Sequence, residues 1–251
     1  MSKTSTIATK IAANLTITMY RNQSWWIDLL RSRRAFWQHD GDPNRPHIRL
    51  DSAYHTNGFI DTGCIVEDPS LLDQAAGDLV DLVKTKTPHL VNSINRVVSS
   101  FGGSITLAHD IARNISQARS RTKNARNNPC FTSHIERRSG PGVLASASVD
   151  FNGQGVRISE LVLIAENVIF NGNNVGLVLD LIAANGGYVA EVITALVNRS
   201  ELSSKADRKI IALINKPIPI WEANLCPLCK LGSAALYMKQ SDTWDRLNAK
   251  Y

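Results

Sequence analysis

The sequence predicts an α/β domain with a largely parallel sheet that is covered by helices on both faces. Two similar units support this prediction. In the first unit, an apolar run, a glycine turn and a helix follow one another within residues 96–115. In the second, an apolar strand, a loop and a helix span residues 161–185, and a further strand follows at 188–197. Apolar strands that alternate with helices are typical of parallel sheets buried on both faces.

The N-terminal segment, residues 1–45, is polar and basic at first and then rich in aromatic residues. The helix-compatible spacing of Trp26, Leu29 and Leu30 predicts a helical extension of the domain. We expect the tryptophans of this segment to anchor the extension to the core. A surface on which nucleic-acid bases stack is the alternative.

The composition is compatible with an anionic partner but does not require one. The 251 residues include 28 Lys and Arg against 22 Asp and Glu, which gives a formal net charge of +6. Such an excess favours phosphates, nucleotides or nucleic acid, although many soluble proteins carry it without these partners. The sequence shows no secretory signal and no apolar run long enough to span a membrane. We therefore expect a cytoplasmic protein with reduced cysteines and no membrane partner.

Two loops have the composition of phosphate-binding loops. Each connects a predicted buried strand to the start of a helix, the first at residues 99–103 and the second at residues 166–174. Backbone N–H groups and the positive end of the helix dipole meet at such a position, and phosphate binds there without needing a side-chain charge. One such loop is weak evidence, because short glycine turns also serve helix packing.

Five segments, taken in order, resemble the type I phosphoribosyltransferase family, and most of all its orotate phosphoribosyltransferases. They are the segment that opens the core at 47–59, the diphosphate loop and its helix at 97–108, the phosphoribosyl diphosphate signature at 162–174, the strand end Val197-Asn198-Arg199, and the tail segment at 226–232. The resemblance therefore runs through most of the chain, from about residue 46 to 235.

The resemblance implies a type I phosphoribosyltransferase fold: a Rossmann-like sheet of five parallel strands with flanking helices, an N-terminal helical extension and a small hood. We expect the helical extension at residues 1–45, the core at 46–215 and a C-terminal tail at 216–251. The hood would combine residues 1–65 with this tail. The resemblance also implies a homodimer, because the family's mobile loop reaches the neighbouring site.

The same resemblance implies a set of site residues. Those that match the binding site for phosphoribosyl diphosphate are Ser100, Phe101, Gly102, Gly103, Glu166, Asn167, Phe170, Asn171, Gly172, Asn173 and Asn174. Ser52 and Arg199 match residues near the base, where the family's arginine meets the orotate carboxylate. Arg137 and Arg138 are the cationic candidates of the mobile loop, which neutralises the leaving diphosphate.

The sequence departs from the family pattern at three places. Glu166 is followed by Asn167, whereas the family has a second acid, and an amide supplies no negative charge. Phe170 stands where a threonine touches the base, and its ring would fill part of that volume. Ser133 and His134 stand where Glu-Lys is common. Because one lost preorganised charge costs about 2.7–4 kcal/mol, we expect impaired turnover.

These observations favour a divergent, catalytically impaired homologue that binds a phosphorylated sugar or nucleotide in a regulatory, scaffolding or assembly role. The first alternative is an active phosphoribosyltransferase that acts on orotate or another base, with Mg²⁺ held mainly by substrate phosphates. The second is a nucleic-acid-associated component, for example in defence, in which the basic stretch at 113–138 meets the phosphate backbone. In that stretch, Arg119 and its neighbouring cations either face solvent or bind an anion.

The pair Cys226 and Cys229 suits half of a tetrahedral zinc site. Cys64 and Cys130 are isolated in the sequence, and no second C-x-x-C or H-x-x-x-H pair is present. We therefore predict no metal site. A zinc site in one chain, or one shared by the two chains of a dimer, is the alternative.

Overall fold

The computed structural model of the protein describes residues 20–50, 53–120, 128–138, 148–238, 240 and 242–251. In chain order, its elements are α1 (Gln23–Ser32), β1 (Phe36–Gln38), β2 (His47–Arg49), β3 (Tyr54–Thr56), β4 (Gly58–Ile60), α2 (Gly63–Val66), α3 (Pro69–Lys86), β5 (Arg96–Ser99), α4 (Ser104–Ser120), β6 (Phe131–Arg138), β7 (Ser148–Phe151), β8 (Leu161–Ile169), α5 (Asn173–Ala184), β9 (Tyr188–Asn198), β10 (Ser204–Lys205), β11 (Arg208–Asn215), β12 (Ile220–Glu222), α6 (Pro227–Lys230), β13 (Ala235–Tyr237) and α7 (Thr243–Leu247). None of the described helices combines the length and the apolar character that a membrane crossing needs.

A seven-stranded sheet forms the centre of the fold, in the strand order β10-β11-β9-β8-β5-β6-β7. The five inner strands, from β11 to β6, are parallel to their neighbours. The edge strands β10 and β7 pair antiparallel with the strands beside them. The structure confirms the predicted sheet of five parallel strands and adds one antiparallel strand at each edge.

The strand order reverses between β5 and β8. From β5 the chain moves outward to β6 and β7, and it then returns to β8 on the other side of β5. Open α/β sheets bind ligands beyond the carboxyl ends of the strands at such a switch point. The loops that follow β5 and β8 both begin there, so this reversal positions the candidate site.

Helices cover both faces of the central sheet, because successive residues of a strand point to opposite sides. Val97 packs in a core with α1, α3 and α4, whereas Val98 packs in a second core with α5. The longest of these helices, α3, begins where the Asp68 side chain accepts two backbone N–H groups and Pro69 takes the first helical position. The sheet is therefore buried on both sides, as the sequence predicts.

A smaller, four-stranded sheet forms the hood, in the order β12-β3-β2-β13. β2 and β3 precede the central sheet in the chain, whereas β12 and β13 follow it. The hood therefore joins the two ends of the described chain, and β12 follows closely on the last strand of the central sheet.

Tryptophans attach the N-terminal segment to the rest of the molecule. Trp26 is fully buried and donates its indole N–H to Asp78, at 3.1 Å. Trp37 is also buried and donates its indole N–H to the backbone oxygen of Leu247, at 2.8 Å. Both contacts confirm the anchoring interpretation for these two residues.

The hood brings together four side chains that lie far apart in the sequence. His47 of β2 and His55 of β3 meet Cys226 and Cys229, and the ligand atoms of all four lie within 4.8 Å of one another. Burial, and after it His55 and His39, lowers the pKa of His47 to about 4. The cysteine pair therefore has two histidine neighbours that the sequence analysis did not identify. Spacing could not reveal the histidines, because His47 stands 179 positions before Cys226.

Two predicted loops are shorter than expected. β8 continues to Ile169, because Val168 and Ile169 still pair with β9, so Glu166 and Asn167 belong to a strand. The glycines and proline of residues 136–142 predict a flexible hairpin tip, but β6 continues through 136–138, which pair with β7. Residues 139–147 lie outside the described residues.

Arg119 has a structural role that the sequence did not indicate. The helix α4 continues to Ser120, and Arg119 is buried within its last turn. Its guanidinium donates to the backbone oxygens of Val91 and Ile94. The anion-binding expectation is therefore wrong for Arg119, and the cations at 121–127 lie outside the described residues.

Candidate functional site

Three loops meet beyond the carboxyl ends of the central strands. Residues 100–103 follow β5, residues 170–172 follow β8, and residues 199–203 follow β9. β8 lies between β5 and β9 in the sheet, so the three loops are neighbours. One ligand can therefore contact all of them.

Glycines bring the loop after β5 close to β8. Gly102 has a φ of +63°, in the left-handed region that favours glycine. A Cβ on Gly103 would collide with Nδ2 of Asn167. Ser100 is buried and Phe101 is half-buried beside them. The loop thus lies directly against the second acid position of the phosphoribosyl diphosphate signature.

Glu166 lies beneath this loop and is only 2% exposed. Its Oε2 accepts hydrogen bonds from the hydroxyls of Ser100, at 2.6 Å, and Ser104, at 3.2 Å. Its Oε1 has no hydrogen-bond partner among the described residues. Burial raises the pKa of Glu166 to about 7, although the two serine hydroxyls oppose the shift. This carboxyl group therefore links the loop after β5 and the start of α4 to β8, and it changes its charge near neutral pH.

Asn167 follows Glu166 in β8 and is half-buried. Its backbone N–H donates to Oγ of Ser104 at 3.1 Å, while its Oδ1 finds no partner in the described part of the chain. An amide at this position can hydrogen-bond a ribose hydroxyl, but it carries no charge and takes no proton.

The loop after β8 forms the N-terminal end of α5. Gly172 has a φ of +74°, and Oδ1 of Asn171 accepts the backbone N–H of Asn173 at 3.0 Å. These residues line a cleft of about 340 Å³ together with Phe170 and Asn174. Because the free N–H groups of a helix start here, the cleft suits a phosphate group.

Lys205 lies beside Gly172 of this loop, and sequence reasoning missed this cation. Its Cδ and Cε lie 3.4 Å and 3.6 Å from the place where a Cβ on Gly172 would stand. The hairpin that carries Lys205 follows the next strand of the sheet, so no motif spacing connects it with the loop. Only the folded chain brings this charge to the start of α5.

Arg199 begins the third loop and is 5% exposed. Its Nη2 donates to Oγ1 of Thr56 at 3.1 Å, and its guanidinium carbon lies 5.2 Å from the ring centre of Phe170. Its Nε has no hydrogen-bond partner and the guanidinium no carboxylate partner among the described residues. Burial lowers the pKa of Arg199 to about 10, so the charge persists at neutral pH. A buried cation without an acid favours an anionic ligand.

Arg199 lines a second cleft, of about 520 Å³. Phe170 and Asn171 line both clefts, which makes the two clefts neighbours. Residues 218–221, which lead into and form part of β12, line the second cleft as well. The combined space offers a helix start to a phosphate at one end and a buried guanidinium to an anionic group at the other.

Not every predicted residue lines these clefts. The lining of neither cleft includes Asn167 or the loop residues 100–103. Three further predicted residues are not placed at the clefts by the described part of the chain. Ser52 lies outside the described residues. Arg137 and Arg138 lie on β6, where they pair with Val149 and Ser148 of β7. Their place at a leaving diphosphate therefore stays a prediction.

Ser133 and His134, which stand where Glu-Lys is common, lie on β6 next to β5. Ser133 is buried and accepts a hydrogen bond from Arg96 at 2.9 Å. Arg96 also pairs with Glu160, at 2.7 Å. Ser133 thus belongs to a buried polar network near the first residues of β5 and β6. His134 pairs with Ser99, the last residue of β5.

Magnesium, which the resemblance implies for an enzyme, finds few protein ligands in the described clefts. Mg²⁺ prefers carboxylate, water and phosphate oxygens in octahedral geometry. Glu166 is buried with one oxygen held by two serines, and Asn167 offers an amide. These residues do not form a magnesium cage, so the ion would depend on substrate phosphates.

Comparisons with known proteins agree with this geometry, although no protein-family model matches the sequence. The orotate phosphoribosyltransferase of Heliobacterium modesticaldum is 27% identical over 215 residues, which cover 86% of this chain and 96% of that protein. The orotate phosphoribosyltransferase of Chlorobaculum parvum is 26% identical over 187 residues, 74% of this chain and 83% of that protein.

A solved structure shares the fold. The crystal structure of orotate phosphoribosyltransferase from Aeropyrum pernix matches with a TM-score of 0.52 and 17% identity, over 75% of this chain and 92% of that chain. The strand order, the loop positions and the sequence relatives thus all indicate the same fold. The chain has the fold of the type I phosphoribosyltransferases, and its sequence is similar to those of orotate phosphoribosyltransferases.

Proposed function

We propose that the protein binds a phosphorylated ribose joined to a carboxylated ring, as in an orotidine nucleotide, and that it transfers phosphoribosyl groups slowly or not at all. It would then act through binding, in a regulatory, scaffolding or assembly role. The observation that carries the proposal is Arg199, a buried cation on the wall of the larger cleft that pairs with no described carboxylate.

A ligand carboxylate would satisfy Arg199. The guanidinium keeps donors beyond the one that Thr56 accepts, and Arg–carboxylate pairs form strong, paired hydrogen bonds. The ring of Phe170 lies against the same guanidinium, at 5.2 Å. A flat, carboxylated ring in the second cleft would therefore lie between Phe170 and the hood residues at 218–221.

The first cleft supports the phosphate end of the proposed ligand. The N-terminal end of α5 presents backbone N–H groups, and Lys205 contributes a charge beside Gly172. Because Asn171 lines both clefts, a ribose that bridges them would pass this residue.

Slow transfer follows from the groups around Glu166. An oxocarbenium-like sugar needs negative charge beside it, but Asn167 is neutral and Glu166 is buried, with its pKa raised to about 7. Phe170 also occupies space near the base. These features support binding of the nucleotide more strongly than turnover.

An active phosphoribosyltransferase is the second candidate, because the two sequence relatives described above are named orotate phosphoribosyltransferase. In that case Glu166, ionised above pH 7, would supply the negative charge beside the sugar. The nucleic-acid alternative finds less support, since Arg119, Trp26 and Trp37 are buried.

Arg199→Met tests the carboxylate site. The loss of a buried charge partner costs about 2 kcal/mol or more, so the Kd for orotidine monophosphate should rise at least about thirtyfold. The Kd for ribose 5-phosphate, which has no carboxylate, should stay unchanged. Arg31→Met, at an exposed position of α1, is the matched control. Calorimetry that finds equal orotidine monophosphate affinity for Arg199→Met and wild type would reject the proposal.

A further inference from the structure

The hood contains a cluster of four potential metal ligands outside both clefts. Nε2 of His47 lies 3.0 Å from Nδ1 of His55 and 3.5 Å from each of the sulfur atoms of Cys226 and Cys229. The sulfur of Cys229 also lies 3.3 Å from Nδ1 of His55. Two imidazole nitrogens and two sulfurs therefore converge on one point.

The spacing agrees with tetrahedral coordination. Zinc lies about 2.0–2.1 Å from histidine nitrogen and about 2.3 Å from cysteine sulfur, so the edges of such a tetrahedron measure about 3.3–3.8 Å. Four of the six separations, 3.0, 3.3, 3.5 and 3.5 Å, lie within a few tenths of an ångström of these edges, and the other two are no longer than 4.8 Å. A small cation fits at the centre.

Hydrogen bonds outside the cluster fix the tautomer of His47. The hydroxyl of Ser233 donates to the backbone oxygen of Arg45 at 2.6 Å, which commits its proton. Its Oγ therefore accepts from Nδ1–H of His47, at 2.9 Å. Metal-binding histidines in proteins almost always donate their second ring N–H in this way.

This tautomer leaves a lone pair on Nε2 of His47, facing the other three side chains. One lone pair accepts one full hydrogen bond, yet His55, Cys226 and Cys229 all lie within 3.5 Å of it. A central cation would instead engage all four groups together. Three of the four residues are buried, and Cys229 is exposed.

We propose that His47, His55, Cys226 and Cys229 bind a zinc ion that fastens the C-terminal tail to β2 and β3. Two thiolates and two imidazoles in tetrahedral geometry are typical zinc ligands, and four protein ligands leave no open position for substrate, which indicates a structural site. On binding, each cysteine releases its thiol proton to solvent, and the two thiolates balance the charge of the ion.

The site has a direct connection to the second cleft. His55 pairs with Trp221 of β12, and its neighbour Thr56 accepts the hydrogen bond of Arg199. The zinc ion thus stabilises β3, which supports Arg199, and through it β12, which lines the cleft.

Metal analysis of the untagged, full-length protein tests the proposal. After gel filtration with a weak chelator, the wild type should retain about one zinc per chain. Metal-free wild type titrated with Co²⁺ should show strong visible bands of tetrahedral cobalt together with a thiolate-to-cobalt charge-transfer band. Both signals should disappear in Cys229→Ser, which changes the exposed ligand and leaves the buried ones in place.

Matched variants separate the site from general effects on cysteine and histidine. Cys64→Ser and His109→Gln alter residues outside the cluster and should keep zinc and the cobalt spectrum of the wild type. Zinc content in the wild type no higher than in Cys229→Ser, or cobalt bands of octahedral type without thiolate charge transfer, would overturn the proposal. Stoichiometric iron in place of zinc would overturn the choice of metal.

Discussion

The resemblance predicts that Glu166 is an acid of the sugar-binding motif, and its surroundings give it a structural role as well. The side chain is 2% exposed and accepts hydrogen bonds from Ser100 and Ser104, so it links the loop after β5 to β8. The motif alone could identify the residue. It could not give the burial or the two serine contacts, because these depend on how closely the glycine loop approaches β8.

The raised pKa of Glu166 predicts a pH-dependent stability. The pKa rises from its ordinary value of 4.5 to about 7 in the folded protein because the group is buried, so between these values the folded state binds more protons than the unfolded state. The free energy of unfolding contributed by this group therefore falls as the pH rises from about 4.5 to 7. Glu166→Gln keeps an acceptor for both serines and removes the titration.

Urea unfolding of both proteins between pH 5 and 8 measures this effect. The free energy of unfolding of Glu166→Gln, relative to that of the wild type, should rise by up to about 3 kcal/mol as the pH increases to about 7. Between pH 7 and 8 this difference should level off. A difference that stays constant from pH 5 to 8 would show that the carboxyl group titrates normally.

The hairpin of β10 and β11 shows what a whole element adds to the site. It places Lys205 beside Gly172, at the N-terminal end of α5. Lys205→Met should weaken binding of ribose 5-phosphate about two- to fivefold, in line with the roughly 0.3–1 kcal/mol of a charge at a helix end. Lys209→Met, exposed on the same hairpin, should bind like the wild type. Calorimetry that finds the same loss in both variants would assign the effect to net charge.

Four of the five inner strands, β5, β8, β9 and β11, could be predicted, because each contains an apolar run that a helix or a turn follows. β6 contains no such run. The end of β8 could not be predicted. Polar Glu166 and Asn167 interrupt its apolar pattern, but pairing with β9 carries the strand on to Ile169. The role of Arg119 could not be predicted either. The cationic composition around it indicates solvent or an anion, whereas the buried guanidinium donates to backbone oxygens of Val91 and Ile94.

At the scale of the whole molecule, the hood connects the chain's first described strands with its tail. The cleft that contains Arg199 lies where hood and central sheet meet, and the contact of Arg199 with Thr56 crosses this boundary. The partners of the cysteine pair could not be found in the sequence, since chain closure over 179 positions brings His47 to Cys226. A local apolar pattern predicts a parallel strand, whereas no local pattern predicts a cluster whose members lie so far apart in the sequence.

Removal of the proposed zinc ion should affect stability and binding together. A strong chelator is expected to lower the Tm of the wild type by several degrees, since about 1 kcal/mol corresponds to about 2–4 °C in a chain of this size. It should also weaken binding of orotidine monophosphate, because β3 supports Arg199. Cys229→Ser should show the lower Tm without chelator and no further change with it. If the chelator leaves the Tm of the wild type unchanged, the proposed contribution of zinc to stability is contradicted.

Isothermal titration of the wild type with orotidine monophosphate, followed by phosphoribosyl diphosphate with Mg²⁺ and then orotate in a second run, tests the central claim most directly. The account predicts saturable binding of orotidine monophosphate and no sustained heat of turnover when both substrates are present. Sustained heat would favour the active transferase. Absence of any binding heat, in a protein that unfolds cooperatively, would contradict the claim that Arg199 and the start of α5 form a nucleotide site.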